Sequence, residues 1–426
     1  MKVLVVDATH GGITLSEEFR LRGDEVTCVD VHRTVKQEDL MSLSRLFELR
    51  RDLPDPSIYD LIVKPIHFPL APFAGFKERV ITHHQAVRLL AGNSVGFPVV
   101  EVTGSFGKTA AAMCAISLLK ENLSVLSLTS KGICFHSPDG SKTLLEGVSA
   151  APANVIRAIR LSPSKPDIAI FELSLGGTGL ADLGIIKNVY DDYPIAKGTS
   201  SALKAKLSMV SDRKDGSTIL INADDPKLEN LPGVQRFSPS GKKCEIRADC
   251  AKVSKNGIEF EAIFEGFKAK GGDFSGVVGV KTSPGPVGRQ HVENLLLGVA
   301  IASYFRPIEG SFLIGADAFD KKMVLISAEP PVVVNASASI GSKSIEASIR
   351  DYSEIFPPLL LEVGGKLKTT CGSVDLESAA QAILTSAFKE IALFGEFGEA
   401  LAPMLVGKKT VRRPVYEGPR LVLERG

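Results

Sequence analysis

With 426 residues, the chain is too long for a single hydrophobic core, and its length predicts about three domains. Its 50 Lys and Arg residues balance 49 Asp and Glu residues, and no long apolar run is present, so we expect neither a nucleic-acid nor a membrane partner. The six cysteines form no CxxC pair, which argues against a zinc cluster or a disulfide scaffold and indicates a cytoplasmic protein.

The first predicted unit, residues 1–95, opens with a βαβ pattern. Strands are predicted at Lys2–Val6 and Glu25–Val29, with a helix over 13–22 between them. The turn at 7–12 lacks the spaced glycines of a dinucleotide site, so no nicotinamide cofactor is expected. A further strand at 59–63 and the segment VITHH (80–84), which precedes a short helix, complete this unit.

Four histidines of this unit follow predicted strands. The carboxyl ends of parallel strands face the ligand crevice of an open sheet, so these side chains are candidates for substrate contact. Alternatively, each is a loop histidine that bonds to nearby backbone. The candidates are His10, His67, His83 and His84.

The strongest motif is GSFGKT, between an apolar strand at 99–102 and a predicted helix over 108–120. Strand, glycine-containing turn and helix in this order predict a phosphate cradle formed by backbone N–H groups. Lys108 would reach the outer phosphates, and the Thr109 hydroxyl would bind magnesium. An ordinary helix start is the alternative, because Val102 stands where the longer pattern has glycine. The predicted phosphate-binding residues are Gly104, Ser105, Phe106, Gly107, Lys108 and Thr109.

Glu172 ends the next apolar strand, predicted over 167–173. A neighbouring strand end in a phosphate-loop fold presents a carboxylate to the metal, although a glutamate here could also cap the following turn. Further strands are predicted to end at the acidic pair Asp191 and Asp192 and at INADDP (221–226). An antiparallel ribbon over 245–280 and a helix through 303 follow.

From residue 307 the pattern changes to a third α/β unit. Buried parallel strands are predicted at 323–326, 332–334, 359–361 and 391–394, with helices over 343–352 and 376–388. The predicted domains are therefore 1–95, 96–306 and 307–426.

In this order, VTGSFGKT (102–109), FELS (171–174), INADDP and GRQHVEN (288–294) resemble motifs of the Mur ligase superfamily of ATP-dependent ligases. The resemblance covers nearly the whole chain. It implies a three-domain α/β architecture with a Rossmann-like, substrate-binding N-terminal domain. A central P-loop ATPase domain and a Rossmann-like C-terminal ligase domain would follow.

The resemblance also implies residue roles. Four residues would bind the nucleotide, namely Asn222, Asn294 at the adenine, and Lys322 and Asn335, which would move inward as the third domain closes over ATP. Asp192 would bind metal with Thr109 and Glu172. Lys206 matches a catalytic lysine that is often carbamylated to bridge two metals, and Lys108 and Glu172 would be catalytic with it. This chain departs from the family pattern at four places. It has Asp192-Tyr193 where the family has Asp-His at the second metal, and His291 where the helix motif has asparagine. It has Lys322 where the family has an arginine that contacts the phosphates, and Asn335 where the family has an aspartate that binds the ribose.

The first unit resembles the archaeal branch that closes the last ring of coenzyme F-430, on the segments VDATHGG (6–12), PIHFP (65–69) and THHQAV (82–87). This implies ATP and Mg²⁺ as cofactors, an acyl phosphate intermediate and a nickel tetrapyrrole as substrate, in a monomer or homodimer. Two alternatives remain: an amide-forming ligase, and a non-catalytic tetrapyrrole-binding protein with a degenerate nucleotide site.

Overall fold

A computed structural model describes residues 1–189, 192–306, 308–337, 340–369, 374–407, 410–411 and 418–426. Asp191 of the predicted acidic pair lies outside these ranges. Three mixed or parallel α/β units follow one another along the described chain. None of the helices in these ranges is both long and apolar enough to cross a membrane.

The first unit is a five-stranded, fully parallel sheet in the order β3-β2-β1-β4-β5. Its central strand is apolar and buried from Val3 to Val6, as expected for a parallel strand covered on both faces. The strands are β1 (Lys2–Val6), β2 (Glu25–Val29), β3 (Glu48–Arg50), β4 (Leu61–Lys64) and β5 (Val80–Thr82), and the helices are α1 (Ile13–Leu21), α2 (Gln37–Leu43) and α3 (His83–Ala91).

Helix α3 begins at His83, directly after β5. The Thr82 side chain accepts a hydrogen bond from the backbone N–H of Gln85, and the Gln85 side chain accepts one from the N–H of Thr82. This reciprocal capping box fixes the start of the helix. His83 and His84 are therefore helical residues, and neither belongs to an open loop after a strand.

The central unit is a 12-stranded sheet in the order β19-β18-β17-β16-β15-β14-β11-β6-β10-β7-β8-β9. Its middle, from β15 to β7, is parallel. The strands are β6 (Val99–Thr103), β7 (Val125–Thr129), β8 (Gly132–Ser137), β9 (Gly140–Leu145), β10 (Ile168–Glu172), β11 (Leu183–Ile186), β12 (Pro194–Ile195), β13 (Ser200–Ser201), β14 (Thr218–Asn222), β15 (Gln235–Ser238), β16 (Ile246–Ser254), β17 (Gly257–Ala269), β18 (Gly272–Thr282) and β19 (Gly310–Ile314), of which β12 and β13 form a separate pair.

The helices of this unit are α4 (Lys108–Leu119), α5 (Ala153–Leu161), α6 (Ala202–Ser211) and α7 (Gln290–Phe305). The phosphate-loop helix α4 packs closely on α7, because a Cβ at Gly298 would lie 2.5 Å from the Cβ of Cys114. The antiparallel ribbon predicted over 245–280 is confirmed as β16, β17 and β18. Because β19 pairs with β18, the central sheet extends beyond residue 306, and the domain boundaries remain predictions.

The third unit is a six-stranded sheet in the order β20-β21-β25-β22-β23-β24. The prediction of a parallel strand at 323–326 is wrong, since β20 pairs antiparallel with β21. Only two residues separate these strands, whereas a parallel crossover needs about a dozen. The strands are β20 (Val324–Ala328), β21 (Pro331–Ala336), β22 (Leu360–Gly365), β23 (Glu390–Phe394), β24 (Thr410–Val411) and β25 (Arg420–Arg425), and the helices are α8 (Ser342–Ser353), α9 (Leu376–Leu384) and α10 (Gly395–Leu401).

The first unit sits directly on the central one. Apolar residues of α1, α3 and α5 share one buried cluster. A Cβ at Gly11 would lie 2.6 Å from the Cβ of Ala153, so the turn after β1 touches the start of α5. This contact brings the carboxyl edge of the first sheet beside the central sheet.

Candidate active site

The GSFGKT turn joins β6 to α4, as the sequence predicts. Gly107 has a φ of +77°, and a Cβ there would lie 2.7 Å from Lys187 Nζ and 2.8 Å from Asn294 Oδ1, so only glycine fits. The first N–H groups of α4 lack partners within the helix and carry the positive end of its dipole. An anion is therefore favoured at Gly107, Lys108 and Thr109.

Two N–H groups of the turn already have partners. Ser105 N donates to Asn188 Oδ1 (2.9 Å) and to the Asn188 carbonyl (3.0 Å), and Phe106 N donates to Asn188 Oδ1 (3.2 Å). The expectation that Ser105 and Phe106 offer these N–H groups to phosphate is thus wrong for this conformation. Asn188 instead holds the turn in shape.

Thr109 and Glu172, which the sequence predicts as magnesium ligands, lie together. The Thr109 hydroxyl donates to Glu172 Oε2 (2.7 Å), and Lys108 Nζ lies 3.7 Å from Glu172 Oε1. Lys108 Nζ also donates to the carbonyl of Gly104 (3.1 Å), folding back over the turn. Ser130, which the sequence analysis missed, adds a hydroxyl 2.9 Å from Thr109 Oγ1 and a backbone N–H donated to Glu172.

A buried network supports the turn from behind. The Glu293 carboxylate pairs with the ammonium group of Lys187 and accepts hydrogen bonds from the amides of Asn188 (3.2 Å) and Asn222 (3.0 Å). Burial lowers the pKa of Lys187, and the charge of Glu293 opposes that change. Sequence reasoning named only Asn222 here, as a nucleotide-binding residue. In the structure it is fully buried in this network.

Asn294 lies beside Gly107, beneath the phosphate turn. Its Nδ2 donates to His291 Nδ1 (3.3 Å), and His291 Nε2 donates to the carbonyl of Lys322 (2.6 Å). Burial lowers the pKa of His291 to about 4, so the ring is neutral at pH 7. Asn294 Oδ1 is buried without a hydrogen-bond partner among the described residues. The predicted adenine contact stays a prediction.

The third unit carries the two predicted nucleotide residues Lys322 and Asn335, and only Lys322 is coupled electrostatically to the phosphate turn. Burial lowers the pKa of Lys322, while the nearby carboxylate of Glu172 raises it and Lys108 lowers it, so this side chain lies within electrostatic range of the turn. Asn335 does not face the turn. Its Nδ2 donates to Ser348 Oγ (2.8 Å) of α8 inside the third unit, and the expectation that it binds nucleotide when this unit closes over ATP stays a prediction.

Asp192 and Lys206 lie around the start of α6. Asp192 is exposed, and its Oδ1 accepts the N–H of Leu203 (2.9 Å), which is a contact at the helix start. Lys206 is buried, with its Nζ 5.8 Å from the ring centroid of Tyr193. The structure therefore does not join Asp192 to the Thr109–Glu172 pair. Its metal role and the carbamylation of Lys206 remain predictions.

The predicted substrate histidines divide into two pairs. His10 and His67 lie at the ends of β1 and β4 and are partly exposed, with His10 Nδ1 2.6 Å and His67 Nε2 3.2 Å from Asp7 Oδ2. Burial raises the pKa of Asp7, but hydrogen bonds from both histidines outweigh it and hold the pKa well below its usual range. The bond to Asp7 raises the pKa of His10.

His83 and His84 are buried, so the prediction that they face a crevice is wrong. His83 Nε2 donates to the carbonyl of Val6 (2.9 Å), and His84 Nε2 donates to that of Ser174 (3.0 Å). Burial lowers the pKa of each to about 4. Through this bond His84 joins the first unit to the loop that follows Glu172.

Comparisons with known proteins found sequence relatives and solved structures of similar fold. The chain is 35% identical over 246 residues to a coenzyme F(430) synthetase from Methanosarcina acetivorans, but the match spans only 54% of this chain and 52% of that relative. It is 25% identical over 422 residues to a coenzyme F(430) synthetase from Methanocaldococcus jannaschii, covering 95% of this chain and 93% of that relative. No family model matches the chain.

Among solved structures, the MurF ligase from Thermotoga maritima in complex with ADP matches with a TM-score of 0.57. The match has 14% identity and covers 94% of this chain and 91% of that one. The chain therefore shares the fold of the Mur ligases, and its sequence is similar to those of the two coenzyme F(430) synthetases. The three-domain Mur ligase fold predicted from sequence is confirmed.

The Thr109–Glu172 pair suits the magnesium ion that Mur ligase-like chemistry implies. A hydroxyl and a carboxylate are both hard oxygen donors, which Mg²⁺ prefers while keeping several waters. Both oxygens lie at the start of α4, where phosphate oxygens would complete the ion's ligands. Magnesium binding by these two residues is therefore chemically consistent with the structure.

Proposed function

We propose that the chain is an ATP-dependent ligase that activates a carboxylate as an acyl phosphate and releases ADP. One observation carries the proposal. The hydrogen-bonded pair Thr109–Glu172 has Lys108 Nζ 3.7 Å from the carboxylate of Glu172, at the start of a helix that follows a glycine turn. The similarity to two coenzyme F(430) synthetases supports a finer proposal. We infer that the substrate is the seco-F-430 acid, a nickel tetrapyrrole, and that the product is coenzyme F-430.

In the first step, an oxygen of the substrate carboxylate attacks the γ-phosphorus of ATP, and the bond to ADP breaks. Lys108 and the first N–H groups of α4 hold the phosphates in line and offset their charge. Magnesium held by Thr109 and Glu172 would neutralise further phosphate charge. Lys322 of the third unit, which interacts electrostatically with Glu172 and Lys108, would add a further positive charge.

In the second step, a ring carbon of the same tetrapyrrole attacks the acyl carbon, and the C–O bond to phosphate breaks. The carbon nucleophile loses a proton, so the acid and the ring carbon together lose one water. Phosphate leaves readily, whereas the oxygen of a free carboxylate does not. Water must be excluded while the acyl phosphate exists, and we infer that the third unit closes over the site for this purpose.

The contact between the first two units supports placing the acid in the N-terminal crevice. Ile66, next to His67, packs near Leu175, Ile195 and Ala196 of the central unit. Leu175 follows Glu172 by three residues. A carboxylate held at the end of β4 would therefore approach the region of the terminal phosphate.

An amide-forming ligase is the second candidate, because the solved structures of similar fold include a Mur ligase. The two candidates differ in the nucleophile. An amide ligase requires an added amine, whereas ring closure requires none.

The test is incubation of the full chain with ATP, Mg²⁺ and the seco precursor, followed by mass spectrometry. Ring closure gives ADP and a product lighter than the precursor by one water, without any amine. Dependence on an added amine would establish the second candidate instead. Release of AMP would overturn the acyl phosphate mechanism for both.

A further inference from the structure

Three imidazoles and one carboxylate converge on one point of the first unit. His10 Nδ1, His67 Nε2 and His32 Nε2 lie 2.6, 3.2 and 3.5 Å from the same oxygen, Asp7 Oδ2. The four potential ligand atoms all lie within 4.8 Å of one another. His32 was not a candidate from sequence, and neither was Asp7.

The two oxygens of Asp7 have different surroundings. Oδ1 accepts the backbone N–H groups of Thr9 (3.1 Å) and His10 (3.3 Å), which fixes the carboxylate. Among the described residues, the side chains that contact Oδ2 are the three imidazoles. A carboxylate oxygen has about two lone-pair sites, and three ring nitrogens crowd around this one. A cation between them would accept electron pairs from all four groups at once.

The cluster lies where an open parallel sheet binds ligands. Asp7 and His10 follow β1, His32 follows β2, and His67 follows β4, so the ligands come from three adjacent strands. The chain runs outward from β1 to β3 and then returns to β4, which makes the ends of β1 and β4 the topological switch point. A cleft of about 390 Å³, lined partly by Ala8 and Thr34, opens beside the cluster.

We propose that Asp7, His10, His32 and His67 bind one free divalent transition-metal ion of the class that prefers imidazole, such as Zn²⁺, Co²⁺ or Ni²⁺. The number of ligands separates this from a metal already chelated by a tetrapyrrole. Such a metal has its equatorial positions filled and accepts only axial ligands, so four converging protein groups cannot bind it. The proposal does not depend on the ligase reaction.

The exposure of the histidines makes the site testable. Their side chains are 52% (His10), 47% (His32) and 32% (His67) exposed, so alanine variants should fold, which circular dichroism can verify. The full chain, stripped with a chelator, is titrated with Co²⁺ by visible absorption and with Zn²⁺ by calorimetry. We expect the chain to bind one equivalent of Co²⁺ or Zn²⁺, with the intense visible absorption bands of Co²⁺ in a site of low symmetry. Excess Mg²⁺ should not displace the bound ion.

Matched variants locate the ion. His32→Ala and His67→Ala should each weaken Co²⁺ affinity by at least about 10- to 100-fold, since even outer-shell partners contribute that much. His136→Gln is the control, because His136 bonds Ser127 and Ser141 on the central sheet. Glu172→Gln should still bind one equivalent of Co²⁺, and this result would exclude the predicted magnesium site as the place where Co²⁺ binds.

Three results would overturn the proposal. The first is no Co²⁺ or Zn²⁺ binding by the wild-type chain. The second is unchanged affinity in the histidine variants. The third is binding of a nickel tetrapyrrole through one of these histidines with no binding of the free ion. Each outcome is independent of whether ATP is turned over.

Discussion

Replacing Glu293 by glutamine tests the buried network behind the phosphate turn. Glu293 is 5% exposed and Lys187 is 1% exposed. The side-chain amides of Asn188 and Asn222 also donate hydrogen bonds to the Glu293 carboxylate. Removing one partner of a buried ion pair costs about 3–5 kcal/mol. The unpaired Lys187 could instead lose its proton. At pH 7 this costs about 1.4 kcal/mol for each of the roughly 3.4 pH units that separate pH 7 from the usual pKa of lysine, so the destabilisation cannot exceed about 5 kcal/mol. We expect Glu293→Gln to lower the free energy of unfolding by about 3–5 kcal/mol.

The loss should depend on pH. Burial lowers the pKa of Lys187 in the folded chain, and without Glu293 it falls further. Between the folded and unfolded pKa values the unfolded chain then binds more protons, so the stability of the variant rises with pH. The difference in the free energy of unfolding between wild type and variant should therefore shrink by up to about 1.4 kcal/mol per pH unit as pH rises above neutrality.

Urea unfolding, followed by circular dichroism because the chain has no tryptophan, measures both effects. Glu259→Gln is the matched control, since Glu259 pairs with Lys281 at the surface (3.0 Å) and should cost less than about 1 kcal/mol. A loss below about 1 kcal/mol for Glu293→Gln, or a deficit that does not change with pH, would refute the reasoning.

Three further substitutions test the site. Lys108→Ala should lower ADP release at least about 100-fold while the circular dichroism spectrum stays unchanged, because the proposed role of the lysine is to stabilise the transferring phosphoryl group. Near-normal ADP release would contradict that role. Thr109→Val should raise the Mg²⁺ requirement about 10-fold or more, whereas Thr109→Ser keeps the hydroxyl that bonds Glu172 and should not; equal requirements would contradict the metal role. Lys206→Ala should reduce turnover more than about 10-fold, and exposed Lys204→Ala on the same helix should not; matching activities would exclude a special role for Lys206.

The parts of the site predicted from sequence are those set by strand ends. Thr109 follows the glycine turn and Glu172 ends a neighbouring strand, so local patterns and parallel pairing bring them together. Lys187 and Glu293 were missed because they lie 106 residues apart. The sequence did contain one signal for Lys187 and Asn188, because these two polar residues directly follow the apolar strand Leu183–Ile186.

Errors arose where local chemistry overrode a simple pattern. The capping box of Thr82 and Gln85 starts α3 at His83 and turns both histidines inward. The short link between β20 and β21 makes a hairpin, although both segments are apolar enough for buried parallel strands. His32 was missed because it lies in the loop after β2 and meets Asp7 only in the folded sheet.

The central claim is that the terminal phosphoryl group of ATP is transferred to a substrate carboxylate at the Thr109–Glu172 site. Labelling the reacting carboxylate with oxygen-18 tests it directly, with the phosphorus products analysed by mass spectrometry. Phosphoryl transfer followed by attack at the acyl carbon predicts one labelled oxygen in inorganic phosphate and none in the nucleotide. Label in AMP, or unlabelled phosphate alongside converted product, would contradict the account.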